Sequence, residues 1–163
     1  MEGRLAPEVS VPRVDTHLVK FSQAWVVGLT GLAFALQVPV LAAITAVALL
    51  ISAAYPTLSP FRLLYRGAAV PLGLLRPRVV EDDPAPHRFA QGVGATFLIA
   101  STLVLLLTPA AALGWGLDLI VFALAGLNLT VGFCTGCFVY YQLGRVGLLP
   151  RVRYDGGFRW RGA

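Results

Sequence analysis

The sequence predicts an all-α integral membrane protein with four short transmembrane helices, arranged as two pseudo-repeated hairpins, and an interfacial amphipathic helix. Composition is the first observation: 57% of the 163 residues are hydrophobic and 13% are charged, against about 45–50% and 25% in soluble domains. The second is that no charge occurs from Phe21 to Phe61, and only Asp118 from Phe89 to Gly144. One crossing of the roughly 30 Å hydrocarbon core takes about 20 apolar residues. Each run, of 41 and 56 residues, is therefore long enough for two crossings.

The basic residues predict the topology. All thirteen Lys and Arg residues lie outside the two apolar runs. Basic residues near helix ends stay on the cytoplasmic side, and an even number of crossings puts both termini and the middle loop together, so we expect N- and C-termini in the cytoplasm. A cleavable signal peptide is the competing interpretation, because Ala33-Phe34-Ala35 resembles a cleavage site. The long polar leader and the second apolar segment that follows at once favour a retained helix.

A polar leader, residues 1–20, precedes a four-helix membrane domain that we predict over 21–144. The first hairpin of this domain has helices at about 21–37 and 39–55. The turn is predicted at Gln37-Val38-Pro39, since proline removes a backbone donor and restricts the residue before it. Each arm of about 17 residues is roughly 26 Å long, which is a minimal crossing.

An interfacial segment is predicted over 60–75. Arg62 and Arg66 lie one helical turn apart. Phe61, Leu64 and Tyr65 can then enter the membrane while both arginines reach lipid phosphates.

The second half follows a polar loop, 76–87, that contains the acidic run Glu81-Asp82-Asp83. Helices are predicted at about 89–108 and 114–134, and a basic C-terminal tail over 145–163. We expect the tail to bind anionic lipid headgroups. RNA is the alternative ligand, but no recognition motif supports it, so no nucleic-acid partner is expected. The arginines predicted to lie at the membrane surface are Arg62, Arg66, Arg145, Arg151 and Arg153.

The two halves resemble each other in sequence. Lys20-Phe21-Ser22-Gln23 opens the first and Arg88-Phe89-Ala90-Gln91 opens the second, at an offset of 68. Ser59 to Tyr65 corresponds to Cys134 to Tyr140 at an offset of 75, so the second hairpin has a longer turn. Two hairpins in the same orientation would be related by a pseudo-twofold axis along the membrane normal. Only the second copy contains cysteine.

Cys134 and Cys137, the only two cysteines, form a C-x-x-C pair. Positions i and i+3 share a helix face, which brings their Cα atoms within the roughly 4.4–6.8 Å range of disulfides. The predicted topology places the pair at the cytoplasmic end of the fourth helix, where thiols are kept reduced. A C-x-x-C pair in that compartment indicates a redox-active or metal-binding site more than a static crosslink.

Reactivity of these thiols requires a nearby cation or a helix N-terminus. Arg145 and the middle-loop arginines are the candidate cations, and a helix break at Gly132-Phe133 would let Cys134 start a short new helix. We therefore take Cys134 and Cys137 as candidate catalytic residues. The alternative is that both are small apolar residues buried where helices converge.

Metal binding is a further alternative for the same pair. Two cysteines provide half of a four-ligand zinc site. His17 and His87, the only histidines, both precede predicted helices on the cytoplasmic side, so Cys134, Cys137, His17 and His87 are compatible with one site. The spacing matches no compact zinc motif, and we predict neither a metal nor a cofactor.

Asp118 is the single acidic residue inside an apolar run. An ionisable group within the membrane is a candidate functional residue, but Asp118 follows Gly114-Trp115-Gly116 near the outer turn, and we expect it at a solvated helix end. Gln23, Gln91, Asn128 and Thr130 are expected to form hydrogen bonds between helices rather than to line a transport path.

The segment from Val131 to Tyr140 resembles a bacterial membrane family named for domain of unknown function 4395, as do Ser59 to Arg66 and Arg88 to Gly94. The likeness extends over roughly Val14 to Gly144, and G-F-C-x-G-C is its most specific element. This stretch is also similar to the G-F-C-P segment in the two-helix module of membrane rhodaneses. The resemblance implies a bacterial cytoplasmic (inner) membrane and, since some relatives are associated with thioredoxin-like or sulfurtransferase proteins, thiol or sulfane-sulfur chemistry.

Three hypotheses of function follow. The first is a membrane-embedded thiol–disulfide or persulfide relay, in which Cys134 attacks and Cys137 resolves, working with a thioredoxin-like or rhodanese-like partner; this order is borrowed from other C-x-x-C enzymes. The second is a non-catalytic membrane anchor or scaffold for a cytoplasmic partner. The third is a small transporter subunit in the lipid bilayer, as a homodimer, because four short helices enclose little space; an essential Asp118, Gln23 or Asn128 would favour it.

Overall fold

The structure, a computed structural model, describes residues 13–150. The described part contains six α-helices, a π-helical turn and a two-stranded antiparallel sheet. The helices are α1 (Thr16–Leu36), α2 (Pro39–Ala54), α3 (Pro60–Leu64), α4 (Pro84–Leu107), α5 (Ala111–Val131) and α6 (Thr135–Val146). The strands are β1 (Arg13–Asp15) and β2 (Val79–Glu81). Most of the predicted leader and of the basic tail, with Arg151 and Arg153, lies outside the described residues.

Three helices, α1, α4 and α5, are long and apolar enough to cross a membrane. The all-α class is therefore confirmed, and the chain is a multi-pass membrane protein. The predicted count of four crossings is not confirmed, because α2 is apolar but has only 16 residues, just under the roughly 17 that a crossing needs.

Both α1 and α4 begin before the apolar runs from which helices were predicted at 21 and 89. Asp15 caps α1 by accepting hydrogen bonds from the backbone N–H groups of His17 and Leu18, at 3.1 and 3.4 Å. Asp83 caps α4 by accepting from the N–H of Ala85 at 2.9 Å. Such caps start a helix in polar sequence, whereas an apolar run marks only the part of the helix that can enter the membrane.

A short β-ribbon ties the start of the described chain to the middle loop. β1 pairs with β2 in antiparallel register, Val14 opposite Val80. The carboxylate of Asp15 also accepts a hydrogen bond from the N–H of Arg78 at 3.1 Å. Three-residue strands show too little alternation for a sequence prediction, and this ribbon was not predicted.

The first hairpin turn is confirmed. Gln37 adopts a left-handed conformation (φ 55°) as the C-cap of α1, and Pro39 is the first residue of α2. Proline suits this position, because a backbone N–H group in the first turn of a helix has no intrahelical acceptor, so the N–H that proline lacks is not needed.

The predicted interfacial segment, 60–75, is helical only as α3 and the π-helical turn Tyr65–Ala69. Phe61 and Tyr65 are buried against the bundle, and the Tyr65 ring lies 5.5 Å from that of Phe21. The expectation that these two rings enter the lipid is therefore wrong, since both pack inward, while Arg66 is exposed. Burial, together with the nearby negative charge of Asp15, raises the pKa of the Tyr65 hydroxyl.

An aromatic contact recurs in the two halves. Phe21 and Tyr65 have ring centroids 5.5 Å apart, and Phe89 and Tyr140 have theirs 5.4 Å apart. These residues are equivalent at the offsets of 68 and 75 that the sequence comparison gives.

A helix cap recurs in the same way. Ser59 Oγ accepts a hydrogen bond from the N–H of Arg62 at the start of α3, and Cys134 Sγ accepts one from the N–H of Cys137 at the start of α6. Cys134 therefore occupies the position of the Ser59 cap in the first half, and Cys137 that of Arg62.

The hydrophobic core contains side chains of α1, α2, α4 and α5. α2 packs against α4, α1 against α5, and α4 against both α5 and α6. Val26, Leu49, Leu98 and Val121 contribute one buried side chain each from α1, α2, α4 and α5. Because α6 packs on α4, the N-terminus of α6 is held beside the N-terminal half of α4.

Candidate functional site

The cysteine pair lies at a break between α5 and α6. Gly132 ends α5 with φ 74°, a left-handed conformation that glycine adopts without steric cost. Cys134 is then the N-cap of α6, which confirms the predicted break. A disulfide joins Cys134 to Cys137, with the Cα atoms 5.2 Å apart. Cys134 is 5% exposed, whereas Cys137 is only partly buried.

A glycine between the cysteines permits close contact with α4. A Cβ atom at Gly136 would lie 2.7 Å from the Cα of Ala90, closer than van der Waals contact allows. Only glycine therefore fits here. This contact fixes the first turn of α6 against the beginning of α4 and determines what Cys137 faces.

His87, in the first turn of α4, faces Cys137. Its Nδ1 atom lies 3.6 Å from Cys137 Sγ, and its Nε2 atom lies 3.6 Å from Asp82 Oδ2. The side chain is 14% exposed. A thiol, an imidazole and a carboxylate in this order form the arrangement by which a base activates a nucleophile and a third group orients the base.

Cys134 has a different environment. Its Sγ accepts the hydrogen bond from the N–H of Cys137 at 3.2 Å, at the positive end of the 12-residue helix α6. A helix N-terminus stabilises a thiolate. After reduction of the disulfide, Cys134 is thus the cysteine whose negative charge the backbone supports.

The structure brings together three of the four residues of the predicted metal alternative. Candidate ligand atoms of His87, Cys134 and Cys137 all lie within 4.8 Å of one another. His17 is not in this group; its Nδ1 contacts the carbonyl oxygen of Arg76 at 2.6 Å. With both thiols reduced, three ligands and one open position would fit a zinc ion.

Within residues 13–150, neither Arg62 nor Arg145 forms a hydrogen bond or an ion pair with the cysteines. Arg145, a candidate cation together with the middle-loop arginines, lies in the last turn of α6, at the opposite end of that helix. His87 takes its place, so the prediction is wrong for Arg145. Arg62 donates a 3.4 Å hydrogen bond to the carbonyl oxygen of Pro56.

A cavity of about 100 Å³ adjoins Cys134. Residues of α1, α2, α4 and α5 line it, and Cys134, Thr135 and Gly136 close one end. Cys134 therefore belongs both to the disulfide and to the wall of an internal space.

Asp118 is fully buried (0% exposed), and neither carboxylate oxygen has a hydrogen-bond partner among residues 13–150. The expected solvated helix end is wrong, because α5 begins at Ala111 and Asp118 lies two turns inside it.

Asp82 was missed as a member of the site. A signal was present, since Asp83-Pro84 is a capping residue followed by a first-turn proline, the pattern of a helix start. Recognition of that start would have placed Asp82 and His87 at one helix end. The approach of Cys137 depends on packing between α4 and α6, which the sequence does not specify locally.

Comparison with known proteins gives one match. The family model described as domain of unknown function (DUF4395) matches residues 14–145, about four fifths of the chain. No curated protein and no solved structure matches.

Proposed function

The chain belongs to the DUF4395 family, a domain of unknown function, and we propose that it is a membrane-embedded thiol–disulfide relay based on Cys134 and Cys137. The observation that supports this most is the disulfide-linked pair with the His87 ring 3.6 Å from Cys137 Sγ. A static crosslink has no use for a base beside one of its sulfurs.

The exchange begins at Cys137, the less buried sulfur. A thiolate of a soluble dithiol protein attacks Cys137 Sγ, forming a mixed disulfide and breaking the bond to Cys134. Cys134 leaves as a thiolate, supported by the N-terminus of α6. The second thiol of the partner then attacks the partner sulfur of the mixed disulfide, and Cys137 leaves. The net result is an oxidised partner and a reduced Cys134–Cys137 pair.

His87 supplies and accepts the proton of Cys137. As an imidazolium it stabilises the departing Cys137 thiolate and protonates it, and as a neutral base it removes that proton when the pair is reoxidised. Asp82, on the opposite ring nitrogen, positions His87 and balances its charge.

The partner that fits this chemistry is a thioredoxin-like protein with its own pair of cysteines. A rhodanese-like partner would instead transfer sulfane sulfur. In that reaction the Cys137 thiolate attacks the outer sulfur of a persulfide on the partner and releases the partner thiolate. Both reactions require a site at the membrane surface, and the exposed Arg66 and Arg145 are suited to bind lipid phosphates at that surface.

We propose four crossings, with α2 as the shortest, two hairpins as a pseudo-repeat, and both termini in the cytoplasm of a bacterial cell. The recurring Phe–Tyr contact and the recurring cap at Ser59 and Cys134 support the repeat. Labelling of single cysteines introduced at Glu81 and at Ala110, in intact cells and in permeabilised cells, tests the topology. Access at Ala110 alone in intact cells is the expected result.

Trapping of thiols in intact cells tests the relay. Cells are acid-quenched and labelled with a bulky maleimide, with and without prior reduction, and the mass shift is measured on a gel. We expect a fraction of the protein without free thiols, which grows under oxidative stress and is labelled after reduction. In the purified protein, a reduced thioredoxin-like protein should convert the disulfide form to the dithiol form.

Two results would contradict the relay. The first is complete labelling under every growth condition, unaffected by a thiol oxidant. The second is an unaltered phenotype and unaltered partner binding in the Cys134→Ala, Cys137→Ala double variant, which would indicate a scaffold.

Zinc binding is the second candidate, supported by the three ligand atoms within 4.8 Å. Elemental analysis of protein purified under reducing conditions tests it, with His87→Ala and His17→Ala as a matched pair. One zinc per chain, lost in His87→Ala and kept in His17→Ala, would favour the metal site over the relay.

A further inference from the structure

The cavity beside Cys134 is open toward the lipid. Residues of α1, α2, α4 and α5 line it, and three of those on α4 and α5 are exposed apolar side chains: Val93 at 37%, Ile120 at 44% and Leu124 at 42%. Both helices are candidate membrane spans. An occupant would therefore reach the cavity from the bilayer, so it must itself be apolar.

Inside this apolar space are three carboxamides. Gln23 from α1, Gln91 from α4 and Asn128 from α5 line the cavity, and Asn128 is only 6% exposed. No hydrogen bond within the described part of the chain involves these side-chain amides, and their polar atoms are not among those that are fully buried without a partner. The expectation that they bond between helices is therefore wrong, and the amides are left accessible to a molecule in the cavity. Their free N–H groups can donate to an acceptor that enters the cavity.

Cys134 forms part of the same wall. The ligand chemistry that meets all three conditions is an apolar molecule that has carbonyl oxygens and reacts with thiols. We propose that the cavity binds the head group of a membrane quinone, which reoxidises the Cys134–Cys137 pair. This inference rests on the proposed relay and names its electron acceptor.

The reaction balances without a further reactant. The thiolate of Cys134 adds to a ring carbon of the quinone and forms a carbon–sulfur bond, and one ring oxygen receives an electron pair and a proton. His87 removes the proton of Cys137, and the resulting thiolate attacks Cys134 Sγ and breaks the carbon–sulfur bond. The electron pair of that bond passes through the ring to the second oxygen, which takes up the second proton. Two thiols and a quinone thus become a disulfide and a quinol, with two electrons transferred. The order predicted from the sequence, Cys134 attacking and Cys137 resolving, applies to this half of the cycle.

The size of the cavity suits a single ring. Its volume is about 100 Å³, of the same order as the roughly 150 Å³ apolar cavity known to hold benzene in another protein. The open side between α4 and α5 leaves an isoprenoid tail in the lipid. A lipid acyl chain also fits an apolar space, but it leaves the three amides without acceptors.

The experiment uses the full chain in nanodiscs, reduced and freed of reductant, with decylubiquinone as the probe. Quinone reduction is followed by absorbance, and disulfide formation by maleimide labelling of the quenched protein. We expect about one quinol per dithiol, with a rate that saturates with quinone concentration. Protein unfolded in detergent measures the uncatalysed reaction of thiols with quinone.

A matched pair of variants on α5 separates the site from general effects. Asn128→Leu removes a buried donor of similar size, and we expect it to raise the quinone concentration for half-maximal rate at least about tenfold. Thr130→Val, on the exposed side of the same helix, should leave it unchanged, since Thr130 donates only to the carbonyl oxygen of Gly126. Both variants should exchange disulfides with a thioredoxin-like protein at the wild-type rate.

The outcomes distinguish this inference from the relay itself. A pair that exchanges with the soluble dithiol protein but reduces no quinone, or reduces it no faster than the unfolded chain, overturns the quinone site and leaves the relay. A lipid-filled cavity gives that same result. Failure to react with either probe overturns both.

Discussion

His87 Nδ1 lies 3.6 Å from Cys137 Sγ, although 50 residues separate them in the sequence. Two helix starts produce this contact. Asp83 caps α4 four residues before His87, and Cys134 caps α6 three residues before Cys137. At the start of α6 the N–H of Cys137 donates to Cys134 Sγ, and a helix N-terminus favours the negative charge of a thiolate.

The contact of His87 with Cys137 predicts a large kinetic effect. We expect His87→Gln to slow disulfide exchange with a thioredoxin-like protein by about 10²-fold, because proton transfer by a positioned base contributes that much or more. Stopped-flow fluorescence of the partner measures the rate at several pH values. His17→Gln is the control, since His17 Nδ1 bonds to the carbonyl oxygen of Arg76 and His17 is not in the His87, Cys134 and Cys137 group. Equal rates in both variants would remove His87 from the mechanism.

The close approach at Gly136 predicts a loss of stability. Gly136→Ala places a Cβ 2.7 Å from the Cα of Ala90, and we expect it to lower the free energy of unfolding by about 1–3 kcal/mol, as overpacking does. Gly126→Ala is the matched control, because nothing lies within 4 Å of its added Cβ. Thermal unfolding in detergent compares the two. A second change, Ala90→Gly, should restore part of the loss in Gly136→Ala.

The sequence predicted the parts of this site that depend on local pattern. The apolar runs gave the membrane helices, Pro39 gave the first turn, and Gly132 gave the break before Cys134. It did not predict that His87 contacts Cys137, because that contact depends on two helices meeting at Gly136, and a glycine in a helix has no local signature for close packing.

The cap at Asp15 predicts a local but measurable effect. Its carboxylate accepts hydrogen bonds from His17, Leu18 and Arg78, so it holds both the start of α1 and the ribbon to β2. We expect Asp15→Ala to lower stability by about 1–2 kcal/mol, measured by thermal unfolding. Asp15→Asn keeps an acceptor oxygen and should lose less. An unaffected Asp15→Ala variant would show that the ribbon does not depend on this cap.

Charge in the apolar runs was misjudged for a physical reason. Asp118 was expected in solvent because it is near a turn in the sequence. However, α5 begins two helical turns before Asp118 and packs against α1 and α4. Burial at a given depth depends on where neighbouring helices lie. A single sequence shows how far along its helix a residue lies. It does not show which face of that helix a neighbouring helix packs against.

Asp118 and Ser101, both fully buried, predict opposite changes in stability. Ser101 Oγ donates to the carbonyl oxygen of Gly114 at 2.8 Å, so Ser101→Ala should cost about 1 kcal/mol. The carboxylate of Asp118 has no hydrogen-bond partner in the described chain, and an unpaired buried carboxyl group is unfavourable. We expect Asp118→Asn, which is neutral and of equal size, to raise the melting temperature in detergent and to leave disulfide exchange unchanged. If Asp118→Asn instead lowers the melting temperature or abolishes the cellular phenotype while the thiols still cycle, Asp118 binds something that the relay does not need, and the transporter hypothesis gains support.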